Sequence, residues 1–124
     1  MKKLFLVCNA HLDPVWLWPW QEGASAAVAT FRSAANFCEQ YDGFVFCHNE
    51  ALLYEWVEEY DPALFVLIMN LVAAGKWHII GGWYLQPDCN IPAGSPPVAY
   101  TYILYSRTAL EFAPDHGYAR RYQN

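Results

Sequence analysis

Three short apolar runs, set between longer segments of helical spacing, constrain this chain more than any other feature. Residues 4–8 (Leu-Phe-Leu-Val-Cys), 44–47 and 77–80 each read as a strand. An unbroken apolar run of that length suits a strand buried on both faces of a parallel sheet. Between them, residues 21–40 place Ala24, Ala27, Val28, Phe31, Ala35 and Cys38 on one helical face, and Asp42-Gly43 stops the helix. A second stripe is formed by Leu52, Leu53, Trp56, Val57 and Tyr60, with Asn49 as the expected N-cap and Glu55, Glu58 and Glu59 facing water. Asp61-Pro62 then reads as a fresh N-cap with proline at the first helical position. That third helix carries Phe65, Ile68, Leu71 and Val72 and ends at Gly75. Residues 87–97 read as loop, and a last helix is expected from Ser95 to about Phe112. Strands alternating with helices define an α/β chain of parallel β/α units.

Ligands in such folds bind at the carboxyl edge of the sheet. Each expected strand delivers polar residues there: His11 and Asp13 after the first, His48-Asn49-Glu50 after the second, and residues 82–88 after the third. His11 and Asp13 are two residues apart, so both side chains can lie on one side of an extended chain. An imidazole and a carboxylate so placed can share a divalent ion at about 2.0–2.2 Å. Asp13 also precedes Pro14, which favours an extended backbone and often just opens a turn. Trp16, Trp18 and Trp20 alternate, so at least one indole should face the cleft rather than the core. Trp83 follows Gly81-Gly82, where missing side chains let a sugar face or a neighbouring helix come close. Asp88 and Asn90 suit either sugar hydroxyls or local bonds that hold a turn. His48-Asn49-Glu50 could bond a substrate hydroxyl, and His78 reads as a structural histidine.

Charge and composition narrow the class. A net charge of −5 on 124 residues argues against nucleic acid, which is held by Lys and Arg. The longest apolar run away from the start, residues 63–69, is far short of a membrane span of about 20 residues. The opening Lys2-Lys3 and its apolar run are broken by Asn9 and His11, too early for a secretory signal. A cytoplasmic protein is therefore expected, with its four widely spaced cysteines reduced. An aromatic content of 18% suits a dense core or an aromatic-lined cleft.

His11-Leu12-Asp13-Pro14-Val15-Trp16 resembles the His-x-Asp-x-x-Trp signature of glycoside hydrolase family 38, the α-mannosidases. His48-Asn49-Glu50 and the run from Gly81-Gly82-Trp83-Tyr84 through Gln86-Pro87-Asp88-Cys89-Asn90 are similar to later stretches of the same catalytic domain, in order. The resemblance implies the amino-terminal portion of a seven-stranded β/α barrel and retaining hydrolysis of terminal α-mannosides. It implies Zn2+ bound by His11 and Asp13, and Trp16 stacking on the cleaved mannose; Trp83 and Asp88 join Trp16 as expected substrate-binding residues on the reading of their own surroundings. The loop Ala93-Gly94-Ser95-Pro96-Pro97 departs from the family, lacking its Glu and the Arg-Gln that follows. The family's nucleophile, general acid and last zinc-binding histidine would lie beyond Asn124, so residues 1–124 are expected to form an inactive part of the domain. An incomplete barrel exposes edges and apolar surface, so self-association is also expected.

Two other readings compete. A metal-dependent polysaccharide deacetylase would need an aspartate and two histidines; His48 and His78 are available, but no His-x-x-x-His pair exists. A non-catalytic sugar-binding remnant would bind mannose without metal.

Overall fold

A computed structural model describes residues 2–4, 6–80 and 84–85 of the chain. Helix α1 runs from Trp20 to Gln40, strand β1 from Phe46 to His48, helix α2 from Ala51 to Tyr60, helix α3 from Pro62 to Ala73, and strand β2 from Trp77 to Ile79. The two strands are parallel, with Phe46 opposite Trp77, Cys47 opposite His78 and His48 opposite Ile79. On its other side β1 meets Cys8 in a parallel bridge. Three chain segments thus run parallel with β1 in the middle, and helix joins each to the next in sequence, as β/α units require.

The helices form where the apolar stripes lie. In α1 the buried residues are Gly23, Ala24, Ala27, Phe31, Ala34, Ala35 and Cys38, all on one face. In α2 they are Ala51, Leu53, Tyr54, Trp56 and Val57, and in α3 Leu64, Phe65, Ile68 and Leu71. Small residues on α1 let it lie close to its neighbours, and Phe31 fills the space between them. The Phe31 ring lies 5.0 Å from the His48 ring, 5.0 Å from Tyr54 and 5.3 Å from Trp77. Such edge-on aromatic contacts add to the burial of area. Lys76 closes the far end: its Nζ donates to Cys38 O at 3.0 Å, while Cys38 Sγ donates to Lys76 O.

The Asp61-Pro62 expectation holds in detail. Asp61 Oδ1 accepts from Leu64 N–H at 3.2 Å, and Pro62 occupies the first turn. Gly75 ends α3 with φ +71°, the left-handed conformation that favours glycine.

Two local expectations are corrected. The first apolar run is not a buried strand: Leu4, Leu6 and Val7 are exposed, and among the described residues of the run only Cys8 pairs with β1. The helices cover the chain from Cys8 onward, where Cys8, Ala10 and Leu12 pack on the core. Apolar character marks a segment as able to be buried, but burial needs a partner surface. The second concerns α2, whose N-cap is Glu50 rather than Asn49 and makes no side-chain cap. A free N–H of its first turn, that of Leu52, instead donates to Tyr84 O at 3.2 Å. A carbonyl from beyond β2 thus replaces the side-chain cap. The expected loop at 87–97 and the helix after it lie outside the described residues.

Candidate functional site

The chain leaving Cys8 is fastened to β1 before it reaches His11. Cys47 N–H donates to Cys8 O at 2.9 Å, Asn9 Nδ2 donates to Cys47 O at 3.0 Å, and His48 Nε2 bonds Ala10 O at 3.1 Å. These links carry the chain past the carboxyl end of β1 and out to the surface. His11 Nε2 then stands 3.3 Å from Asp13 Oδ1, with both side chains open to solvent. Neither residue lies in a strand, yet the two-residue spacing still places them on one side.

That separation can be tested against metal chemistry. Two ligands each about 2.1 Å from a tetrahedral ion stand about 3.4 Å apart. The observed 3.3 Å fits that span. A neutral imidazole nitrogen and an ionised carboxylate are also a donor set that zinc accepts. Among the described residues no third His, Cys, Asp or Glu joins them. The pair could therefore supply part of a coordination sphere.

Pro14, next in the chain, lies against α1. A Cβ on Gly23 would collide with the Pro14 carbonyl, so only glycine allows this approach. The three indoles divide as their alternation suggests. Trp16 is exposed, while Trp18 is half-buried and donates from Nε1 to Asp13 O at 3.2 Å. Trp20 leans on Trp56, with ring centres 6.3 Å apart. Trp83 and Asp88 lie outside the described residues. His78 points outward from β2 and is exposed, not a buried structural histidine.

His48 and Glu50 differ from the expectation of a substrate contact. Both are buried, His48 at 1% exposure and Glu50 at 4%, so a bound sugar cannot reach them. His48 Nδ1 accepts the backbone N–H of Glu50 at 3.3 Å, which leaves the proton on Nε2, facing Ala10 O. Burial pushes the imidazole down from 6.5 to about 4, overcoming the opposite pull of the Ala10 carbonyl. His48 is thus a neutral hydrogen-bonding part of the core. Below it, Trp77 Nε1 donates to Tyr54 OH at 2.9 Å, and Tyr54 OH donates to His48 O at 3.3 Å. Burial pushes the Tyr54 phenol up, so it keeps its proton.

Sequence reading missed Gly23 and Tyr54. Gly23 had a signal, because a glycine inside a helix costs stability and usually marks a close approach. Tyr54 had none, since its hydroxyl partners come from other elements.

Comparison with known proteins decides the family. The pattern described as the Glycosyl hydrolases family 38 N-terminal domain matches residues 1–102. The chain belongs to glycosyl hydrolase family 38. Among curated relatives, this family 38 chain is similar to Alpha-mannosidase 2C1 of Mus musculus, at 29% identity over 90 residues, 73% of this chain and 9% of the relative. It is also similar to Alpha-mannosidase G of Dictyostelium discoideum, at 27% over 92 residues, 74% of this chain and 8% of the relative. Alpha-mannosidase of Saccharomyces cerevisiae matches at 24% over 95 residues, 76% of this chain and 9% of the relative. The chain thus spans under a tenth of the length of the relatives it matches.

Proposed function

We propose that this chain forms one wall of the active site of a zinc-dependent, retaining α-mannosidase built on a parallel β/α barrel. The observation that carries the reading is the convergence of His11 Nε2 and Asp13 Oδ1, 3.3 Å apart at the carboxyl edge of the parallel segments. Membership of family 38, among relatives named α-mannosidases, supports the substrate class.

In this reading His11 and Asp13 hold the zinc through those two atoms. When bound, zinc supplies a Lewis acid and a template for sugar hydroxyls. Trp16 offers an exposed indole face to the ring of a terminal α-mannose. Trp83 and Asp88 are assigned to the same sugar on sequence alone. The side chain of Asp13 faces His11 while Trp18 grips its carbonyl, so the carboxylate is free to turn toward an ion. Neither catalytic carboxylate of a retaining mechanism is assigned to residues 1–124. The cysteines Cys8, Cys38 and Cys47 are free thiols, which suits the cytoplasm.

The test is a titration of the isotopically labelled chain with Zn2+ and then methyl α-mannoside, followed by nuclear magnetic resonance. Zinc should shift the ring signals of His11, and the sugar, added after zinc, should shift the indole N–H of Trp16. His11→Ala and Asp13→Ala should each abolish both responses. A zinc response that survives both substitutions, or a sugar response that needs no metal, overturns the assignment. The chain alone should leave an aryl α-mannoside uncleaved.

A further inference from the structure

His48 is the one histidine buried among the described residues, and it sits in the middle parallel segment. Its two ring nitrogens have separate jobs. Nδ1 accepts Glu50 N–H within its own element boundary, at 3.3 Å. Nε2 reaches across to a different segment and bonds Ala10 O at 3.1 Å. Ala10 is the residue immediately before His11. The peptide group whose oxygen His48 holds is therefore the one whose nitrogen belongs to His11. Fixing that plane fixes where the His11 backbone starts.

The ring itself has little room to move. Phe31 meets it edge-on at 5.0 Å, Phe46 stacks at 6.2 Å, and Tyr54 lies at 6.2 Å. Its backbone is held as well, since His48 O accepts both Ile80 N–H and Tyr54 OH. By contrast His11 and Asp13 are solvent-exposed among the described residues. An exposed ligand pair needs its placement from the chain beneath it.

We infer that His48 is a positioning residue for the His11–Asp13 pair, acting through the Ala10 carbonyl and touching neither ion nor sugar. The inference deepens the proposed function and rests on the reading of that pair as metal ligands. The length and donor geometry of the side chain both matter. A glutamine amide can reach the place of the imidazole Nε2–H. An asparagine amide reaches only to the place of Nδ1, so it keeps the Glu50 link and loses the Ala10 link.

The experiment compares the full chain with its His48→Asn and His48→Gln variants. Without metal, nitrogen relaxation should show residues 10–13 loosened in H48N and held in H48Q. With Zn2+ added, the His11 response should shift to about tenfold higher metal concentration in H48N, the usual scale for losing a support of a ligand, and stay close to wild type in H48Q. Loosening in both variants, or in neither, overturns the positioning role. Should H48N fail to fold, the wild-type ring decides: the inference requires the proton on Nε2, and a proton found on Nδ1 overturns it. If residues 10–13 split as expected but zinc moves no His11 signal even in wild type, the positioning role stands and the metal reading falls.

Discussion

His48 illustrates how one buried side chain couples solution conditions to the fold. Its folded form resists protonation until about pH 4, whereas the unfolded chain takes the proton near 6.5. The unfolded state therefore binds more protons between those values, and stability falls as pH drops through that window. It levels off below about 4 and is fully present above 6.5. A shift of this size corresponds to at most about 3 kcal/mol. Urea unfolding at stepped pH should show the slope in wild type and a much flatter profile in H48Q. Gly23 makes an opposite kind of demand. Alanine inside a helix would ordinarily stabilise by about 1 kcal/mol. Here its Cβ meets the Pro14 carbonyl, a backbone atom that cannot swing aside. Gly23→Ala should destabilise by a net of about 1–3 kcal/mol, the range for overpacking, and disturb the His11–Asp13 separation. An equal or higher melting temperature would sink that reading. The His11–Asp13 meeting was legible in the sequence because a spacing of two sets one side of an extended chain, and Pro14 favours extended backbone at Asp13. The burial of His48 and Glu50 was not, since the bond that defines His48 spans 38 positions.

Among the elements, the capped start of α3 carries the plainest test. Asp61 accepts Leu64 N–H and also pairs with Arg32 of α1. Asp61→Ala should cost about 1 kcal/mol, mostly from the lost cap. Arg32→Ala should cost less than 1 kcal/mol, because the guanidinium is largely exposed. Chemical denaturation of both variants would rank them, and equal losses would contradict this division. The three helices were legible because their apolar stripes repeat over two or more turns. The start of α2 was misread because its backbone cap comes from Tyr84. No local pattern around Asn49 could announce a carbonyl from the far side of the next strand. The first apolar run was misread because sequence records how readily a segment leaves water, not which surface receives it.

At the scale of the molecule, the parallel arrangement sets Cys8, β1 and β2 side by side, so that the chain leaving Cys8 carries His11 and Asp13 past the carboxyl end of β1. Exposed Leu4, Leu6 and Val7 form a short apolar stretch beside the half-paired Cys8. Sedimentation velocity across a concentration series should show the chain associating with itself, and Leu6→Lys with Val7→Lys should reduce it. A monomer at all concentrations would contradict that expectation. No helix among the described residues is long and apolar enough to cross a membrane. The family was legible from three motifs in order, whereas the barrel to which they point requires strands outside the described residues.

The Tyr84 carbonyl seated on Leu52 N–H has one more implication. It ties Tyr84, beyond β2, to the opening turn of the helix that follows His48. Anything that draws Tyr84 outward must first release a backbone proton to solvent. Deuterium uptake at the Leu52 amide would then act as a strain gauge, reading movement of the chain beyond β2 from inside the fold.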